Sequence, residues 1–350
     1  MANDVFLLAL GAIAAAVLAW GFRTLPQEDW QIAAAVPIVK DAWGHWHGLN
    51  LTYYGVFQAS AYTAGVAMMF VLLGAVGVPL RGNLVMAGLL LLCCIPASTL
   101  VARLVERKRA TFTVAGAVFV AILMGPWVFL LANRFLGPVL GFDVPLVPAL
   151  AAASIGYALG EGVGRLACVS FGCCYGKPLS RISPRLRRLF DRWSFVFSGQ
   201  TKKVSYEGGL EGEPLVPIQA ITAVLYVTIA LGSAALFLHG FHRTALCLSF
   251  VGTQAWRLPS ETLRADYRGG GKISAYQVMA MVGMVYALST FPFLPSVLLP
   301  HADILSGLRS LWSPGVILLL QGLWLATFLY TGRSVVTGAT LTFHVRHDMV

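Results

Sequence analysis

The sequence predicts an all-α fold, a polytopic helix bundle embedded in a membrane, on three observations. Of its 350 residues 57% are hydrophobic and only 11% are charged, whereas soluble domains carry about 25% charged residues. Apolar stretches of spanning length recur along nearly the whole chain. Lysines and arginines collect in alternate loops between those stretches. The same composition excludes a disordered chain, a collagen-like repeat and a disulfide scaffold.

A spanning helix needs about 20 mostly apolar residues to cross a hydrocarbon core about 30 Å thick. The sequence offers about nine such spans, over 4–22, 54–77, 83–102, 111–133, 147–170, 215–238, 243–257, 273–298 and 313–332. The first lacks a basic leading segment and an A-x-A-like cleavage site, so it reads as a retained helix. Between it and the second lie Trp43, His45, Trp46 and His47, an interfacial pattern more than a metal site. The stretch 243–257 is short and ends in Arg257, which makes it a tilted or broken span.

Charge orients the bundle. Twenty of the 25 lysines and arginines fall on one set of loops. They are Arg23 and Lys40, then Arg103, Arg107, Lys108 and Arg109, then eight between Lys177 and Lys203. Arg257, Arg264, Arg268 and Lys272 follow, with Arg333 and Arg346 in the tail. Arg81, Arg134, Arg243 and Arg309 hold the opposite side. The positive-inside rule puts the crowded side in the cytoplasm and the N-terminus outside. A nucleic-acid partner is not expected, because there is no basic soluble domain or aromatic stacking platform. Basic loops beside a bilayer serve orientation or anionic headgroups.

Charges inside apolar stretches are the strongest functional signal, since each costs at least a few kcal/mol at membrane depth. Glu161 and Arg165 stand four apart in a glycine-rich stretch running from Gly156 to Cys168, hence on one helical face. This is either an anion-binding pair or an internal lock between helices. Arg257 and Glu261 repeat the spacing across Pro259, where a helix end beside a loop also collects charge. Cys168, Cys173 and Cys174 cluster in the sequence, but the spacing lacks the separated C-x-x-C pairs of zinc sites. Adjacent cysteines are not the C-x-x-C redox motif either. Neither a metal nor a cofactor is expected, and the glycines of this turn suit close approach of backbone to a ligand.

Taken in order, these segments resemble the prolipoprotein diacylglyceryl transferases. Leu51-Thr52-Tyr53-Tyr54-Gly55-Val56 resembles that family's W-Y-G-L entry. Gly164-Arg165-Leu166-Ala167-Cys168 through Gly172-Cys173-Cys174-Tyr175-Gly176 resembles its signature in a cysteine-containing form. Val216-Pro217-Ile218-Gln219 is similar to H-P-T-Q, and Arg257 through Glu261 to Arg264, followed by Gln277, is similar to R-F-x-x-E-x-x-R. The resemblance divides the chain into an extra helix and interfacial segment over 1–50, a transferase-like core over 51–298 with the basic loop 177–213, and an extra helix and tail over 299–350.

The resemblance implies an enzyme of the bacterial cytoplasmic (inner) membrane with a seven-helix core. Its donor is phosphatidylglycerol, and its acceptor is the thiol of a lipobox cysteine or another thiol. It implies catalytic roles for Arg165, Arg257 and Glu261, with Glu261 holding Arg257 in position. Tyr54, Gly164, Cys168, Gly172, Cys173, Tyr175, Gly176, Gln219 and Arg264 would contact substrate. Ala115, in Phe112-Thr113-Val114-Ala115, stands where the family has a histidine. The family's signature loop faces the exported side, opposite to the side that the charge count gives. A non-catalytic phospholipid-binding membrane protein and a membrane thiol redox protein using the three cysteines are the alternatives.

Overall fold

The computed structural model describes residues 1–106, 113–267, 273–295, 297, 299 and 301–350. Arg107, Lys108, Arg109, Phe112, Arg268, Gly269 and Lys272 lie outside the described residues, as do the first two residues of the stretch 111–133 and the last of 273–298.

Helix α1 (Ala2–Thr24) leads into strands β1 (Ile32–Lys40) and β2 (Trp46–Thr52). Helices α2 (Tyr53–Ala75), α3 (Leu80–Glu106), α4 (Val114–Phe135), the short α5 (Gly137–Leu140) and α6 (Leu146–Phe171) follow. The loop after α6 holds α7 (Pro184–Phe190), β3 (Phe195–Val196), α8 (Lys203–Tyr206) and β4 (Pro214–Leu215). Then come α9 (Ile218–Leu238), α10 (His242–Thr262), α11 (Ala275–Thr290), α12 (Ile304–Leu311), α13 (Pro314–Thr331) and β5 (Arg333–Leu341).

The molecule is 69% helical, and among the described residues eight helices are long and apolar enough to cross a membrane. It is a multi-pass membrane bundle. The ninth stretch is α10, which has the length but carries Gln254, Arg257 and Glu261 in its second half. It also outruns the expected 243–257, continuing through Pro259 to Thr262. Ser260 Oγ donates to the Arg257 carbonyl and Thr262 Oγ1 to the Pro259 carbonyl, so hydroxyls supplement the backbone bonds of the last turns.

Contacts beyond the helix ends sort the loops into two sides. At one end Asn3 Nδ2 donates to Ala302 O, and Asp303 N donates to Ala75 O. At the other, Ser198 N donates to Pro26 O, Tyr53 N to Gln31 O, and Lys177 N to Leu263 O. This second end gathers the described members of the crowded basic set.

Helix α6 is the centre of the core, packed between α2, α9 and α10. Gly156, Gly160 and Gly164 recur every four residues and face α2, where Cβ atoms at Gly156 and Gly160 would press on the carbonyls of Gly65 and Ala61. Small residues let membrane helices approach by backbone contact. The glycine stripe therefore serves the α2 contact, while Glu161 and Arg165 look elsewhere. Gly162 lies against Val227 of α9.

The three-stranded sheet β1-β2-β5 was not visible as strands in the sequence. It is antiparallel, with Leu49 opposite Val36 on one side and Gly338 on the other. It forms because chain leaving α13 and chain entering α2 emerge side by side, where backbone groups need partners.

Candidate functional site

Near the basic end a narrow cleft opens between α6, α9 and α10, with a cavity volume of about 20 Å³, room for about one water molecule. Arg165, Arg257, Glu261 and Arg264 line it together with Cys174, Gln219, Thr222, Tyr226 and Ser260. The fold thus brings both intramembrane arginines to one place from different helices. The lining holds three guanidinium groups and the carboxylate of Glu261, and Glu161 and Asp266 also pair with these guanidiniums.

The ion pairs differ from the expected set. Glu161 Oε1 pairs with Arg165 along α6 and lies 3.9 Å from Arg257 Nη2 on α10. Arg257 Nη2 also donates to Tyr157 Oη at 3.1 Å. Glu161 therefore sits between the two arginines, the place expected for Glu261. Glu261 Oε1 instead lies 3.6 Å from Arg264 Nη1, while Ser274 Oγ donates to its Oε2 at 3.4 Å. The physical reason is direction: Arg257 crosses to α6, where a hydroxyl and a carboxylate are both within reach. Asp266 binds Arg264 by two parallel bonds of 2.8 and 3.0 Å. Burial opposes the charge of Arg264, but Asp266, Cys174 and Glu261 hold its guanidinium firmly protonated.

Several buried polar atoms around the cleft lack hydrogen-bond partners. Arg165 Nε, Arg257 Nε and Gln219 Oε1 are buried without hydrogen-bond partners. An orphaned buried donor costs about 1–3 kcal/mol, more on a charged group. The two Nε donors suit a ligand that brings acceptor oxygens, and arginine binds phosphate in a bidentate fork. Gln219 Oε1 and Glu161 Oε1, the latter with ion pairs but no hydrogen bond, are instead acceptors that call for a donor.

The turn after α6 is built around three backbone features. Gly172 at φ +69° caps α6, and Cys173 N donates back to Cys168 O at 3.0 Å. Cys174 also adopts a left-handed conformation, at φ +55°, which costs a non-glycine residue about 1–2 kcal/mol. Gly176 then threads between Val216 and Arg264, where any Cβ would collide with the Val216 carbonyl. Lys177 N bonds to Leu263 O, Val216 N to Lys177 O, and Ala265 N to Tyr175 O. These stitches join the turn to the entry of α9 and the exit of α10, so three separate segments form one rim.

The remaining expected residues fall around this rim. Gln219 lines the cleft, and its Nε2 donates to Cys173 O at 3.0 Å. Tyr54 packs edge-on against Phe171 and neighbours the three cysteines instead of lining the cleft. Gly164 faces α2, and Tyr175 is buried under Gly208. The thiols of Cys168, Cys173 and Cys174 lie within 4.8 Å of one another. Hydrogen bonds with Cys168 and Cys174, reinforced by burial, push the Cys173 thiol well above its usual range. Ala115 is buried in α4 and does not line the cleft.

Tyr157, Thr222, Tyr226, Ser260 and Asp266 were missed by sequence reasoning. One signal could have found the first: Tyr157, Glu161 and Arg165 stand on one four-residue ladder. Trp256 Nε1 donates to Thr222 Oγ1 and Tyr226 Oη to Thr253 O, so α9 and α10 are held by polar contacts that no local pattern announces. Compared with family models and with curated proteins, the chain gives no match.

Proposed function

We propose that this protein is a membrane-embedded transferase that moves the diacylglyceryl group of an anionic phospholipid, such as phosphatidylglycerol, onto a thiol acceptor. The observation that carries the reading is the pair of buried, unpartnered Nε donors on Arg165 and Arg257 in one cleft between membrane helices. In the reaction the acceptor sulfur attacks the glycerol carbon, and the bond from that carbon to a phosphate oxygen breaks. Glycerol phosphate leaves with the electron pair, and the thiol proton passes to a base. Arg165, Arg257 and Arg264 would neutralise the departing phosphate, and Glu261 is the carboxylate in the lining that could accept the proton. A lipobox cysteine of an exported precursor is the acceptor that the resemblance suggests, in a bacterial inner membrane.

A second reading, a phospholipid-binding protein without turnover, is favoured by one observation. Ala115 replaces the family histidine, and none of the described residues lining the cleft is a histidine. Incubation of the purified protein with phosphatidylglycerol and a lipobox cysteine peptide separates the two by release of glycerol phosphate. Arg165→Ala and Arg257→Ala are each expected to lower release on the order of 10²–10³-fold, with Cys173→Ala costing much less. Phospholipid binding without release supports the binder. A loss in Cys173→Ala that matches the arginine variants would favour thiol redox chemistry.

A further inference from the structure

The three thiols of the cysteine cluster converge on one point, a geometry that phosphate binding by the arginines does not require. Cys168 closes the last turns of α6, and the chain reverses at Gly172 so that Cys173 returns over Cys168. The second left-handed residue, Cys174, turns the third thiol toward the same point. The sequence spacing argued against a metal because it lacks paired C-x-x-C units. A helix cap achieves the convergence by another route. We infer that Cys168, Cys173 and Cys174 form a binding site for a soft d¹⁰ cation, Cu(I), held by three thiolates.

The distances suit it. All three sulfurs lie within 4.8 Å of one another, and a planar three-sulfur site with metal–sulfur bonds of about 2.3 Å needs sulfurs about 4 Å apart. The donor set is soft throughout, which selects Cu(I) over hard cations. Zinc asks for a fourth ligand, and among the described residues no histidine or carboxylate atom joins this group.

On binding, the three thiols release three protons to water, and the monovalent ion leaves the centre with two negative charges. Cations stand near it on three elements, each also paired with a carboxylate: Arg165 with Glu161, Lys203 with Glu207 and Arg264 with Asp266. Arg165 Nη1 lies 4.0 Å from Cys168 Sγ. Lys203 of α8 interacts with Cys173 and Cys174, and Arg264 beyond α10 interacts with Cys174. Gln219 fixes the Cys173 carbonyl, an outer contact of the kind that orients metal ligands. Cys168 is buried while Cys173 and Cys174 are half-buried, so an ion can enter from the loop side.

The test uses the reduced full-length protein in detergent, titrated with Cu(I) buffered by a competing chelator. Maleimide alkylation of each cysteine is followed by peptide mass spectrometry. One equivalent of Cu(I) is expected to slow alkylation of Cys173 and Cys174 at least about tenfold and to leave Cys247 unchanged. Lys203→Gln is expected to weaken the site about 10–100-fold, as outer-shell changes do. Alkylation of Cys173 at the same rate with and without Cu(I) overturns the assignment, and needs no variant to fold. So does undiminished Cu(I) binding after Cys168, Cys173 and Cys174 are all replaced by serine.

Discussion

Glu161 is a carboxylate shared by two arginines on different helices. Its side chain is 5% exposed, and those of Arg165 and Arg257 are 14% and 10% exposed. Removing its charge leaves two buried cations facing each other, and breaking a buried pair of this kind costs about 3–5 kcal/mol. Glu161→Gln is therefore expected to lower thermal stability in detergent more than Glu261→Gln, because Arg264 keeps Asp266 in the latter. An equal drop for both would show that Glu161 has no special place. The arginines themselves were legible, because a charge inside an apolar run stands out by its cost. Their partners were not. Tyr157 and Glu161 meet Arg257 across roughly a hundred residues of chain, and single-sequence spacing carries no information about which helices become neighbours.

At the scale of elements, the loop after α6 is ordered by a buried lysine. Lys202 is fully buried, and its Nζ donates to Ser170 O at 2.6 Å and Leu25 O at 3.1 Å. One amine thus serves the ends of both α6 and α1, where carbonyls have no partner within the helix. Lys202→Met strands both carbonyls and is expected to cost about 1–3 kcal/mol for each one left unsatisfied. Burial pulls the lysine down to about 8 from 10.5, opposed only by Glu28. Between those two values the unfolded chain holds the proton and the folded one does not, so stability rises with pH across the window. The rise is about 1.4 kcal/mol per pH unit. Melting temperatures from pH 8 to 10 should climb for the native protein relative to Lys202→Met, and parallel curves would contradict the burial of this amine. The helices were legible as apolar runs, and α10 was shortened in the reading because Arg257 and Pro259 mimic a helix end. The strands escaped notice: Ile32–Lys40 contains Pro37 and three consecutive alanines, and β5 shows its alternation only once its partner is known.

For the whole molecule, two signals give the bundle opposite orientations. The cleft, the basic loops and the sheet share one end. The charge bias assigns that end to the cytoplasm, and the family resemblance assigns it to the exported side. Ser183→Cys and Ser306→Cys lie exposed at opposite ends. Labelling of intact cells with an impermeant maleimide, read by peptide mass, is expected from the charge bias to mark position 306 and spare 183. Labelling at 183 alone would place the cleft where exported precursors arrive. The sheet has a further consequence, in the timing of synthesis. Strand β2 leaves the ribosome before all the helices from α2 to α13, whereas its outer partner β5 comes after them. At about 5–20 residues per second the wait lasts on the order of tens of seconds. Throughout it one edge of β2 is open to neighbouring nascent chains. Gly48 and Asn50 interrupt that strand with poor sheet formers, which keeps the waiting edge unattractive until its own last strand arrives.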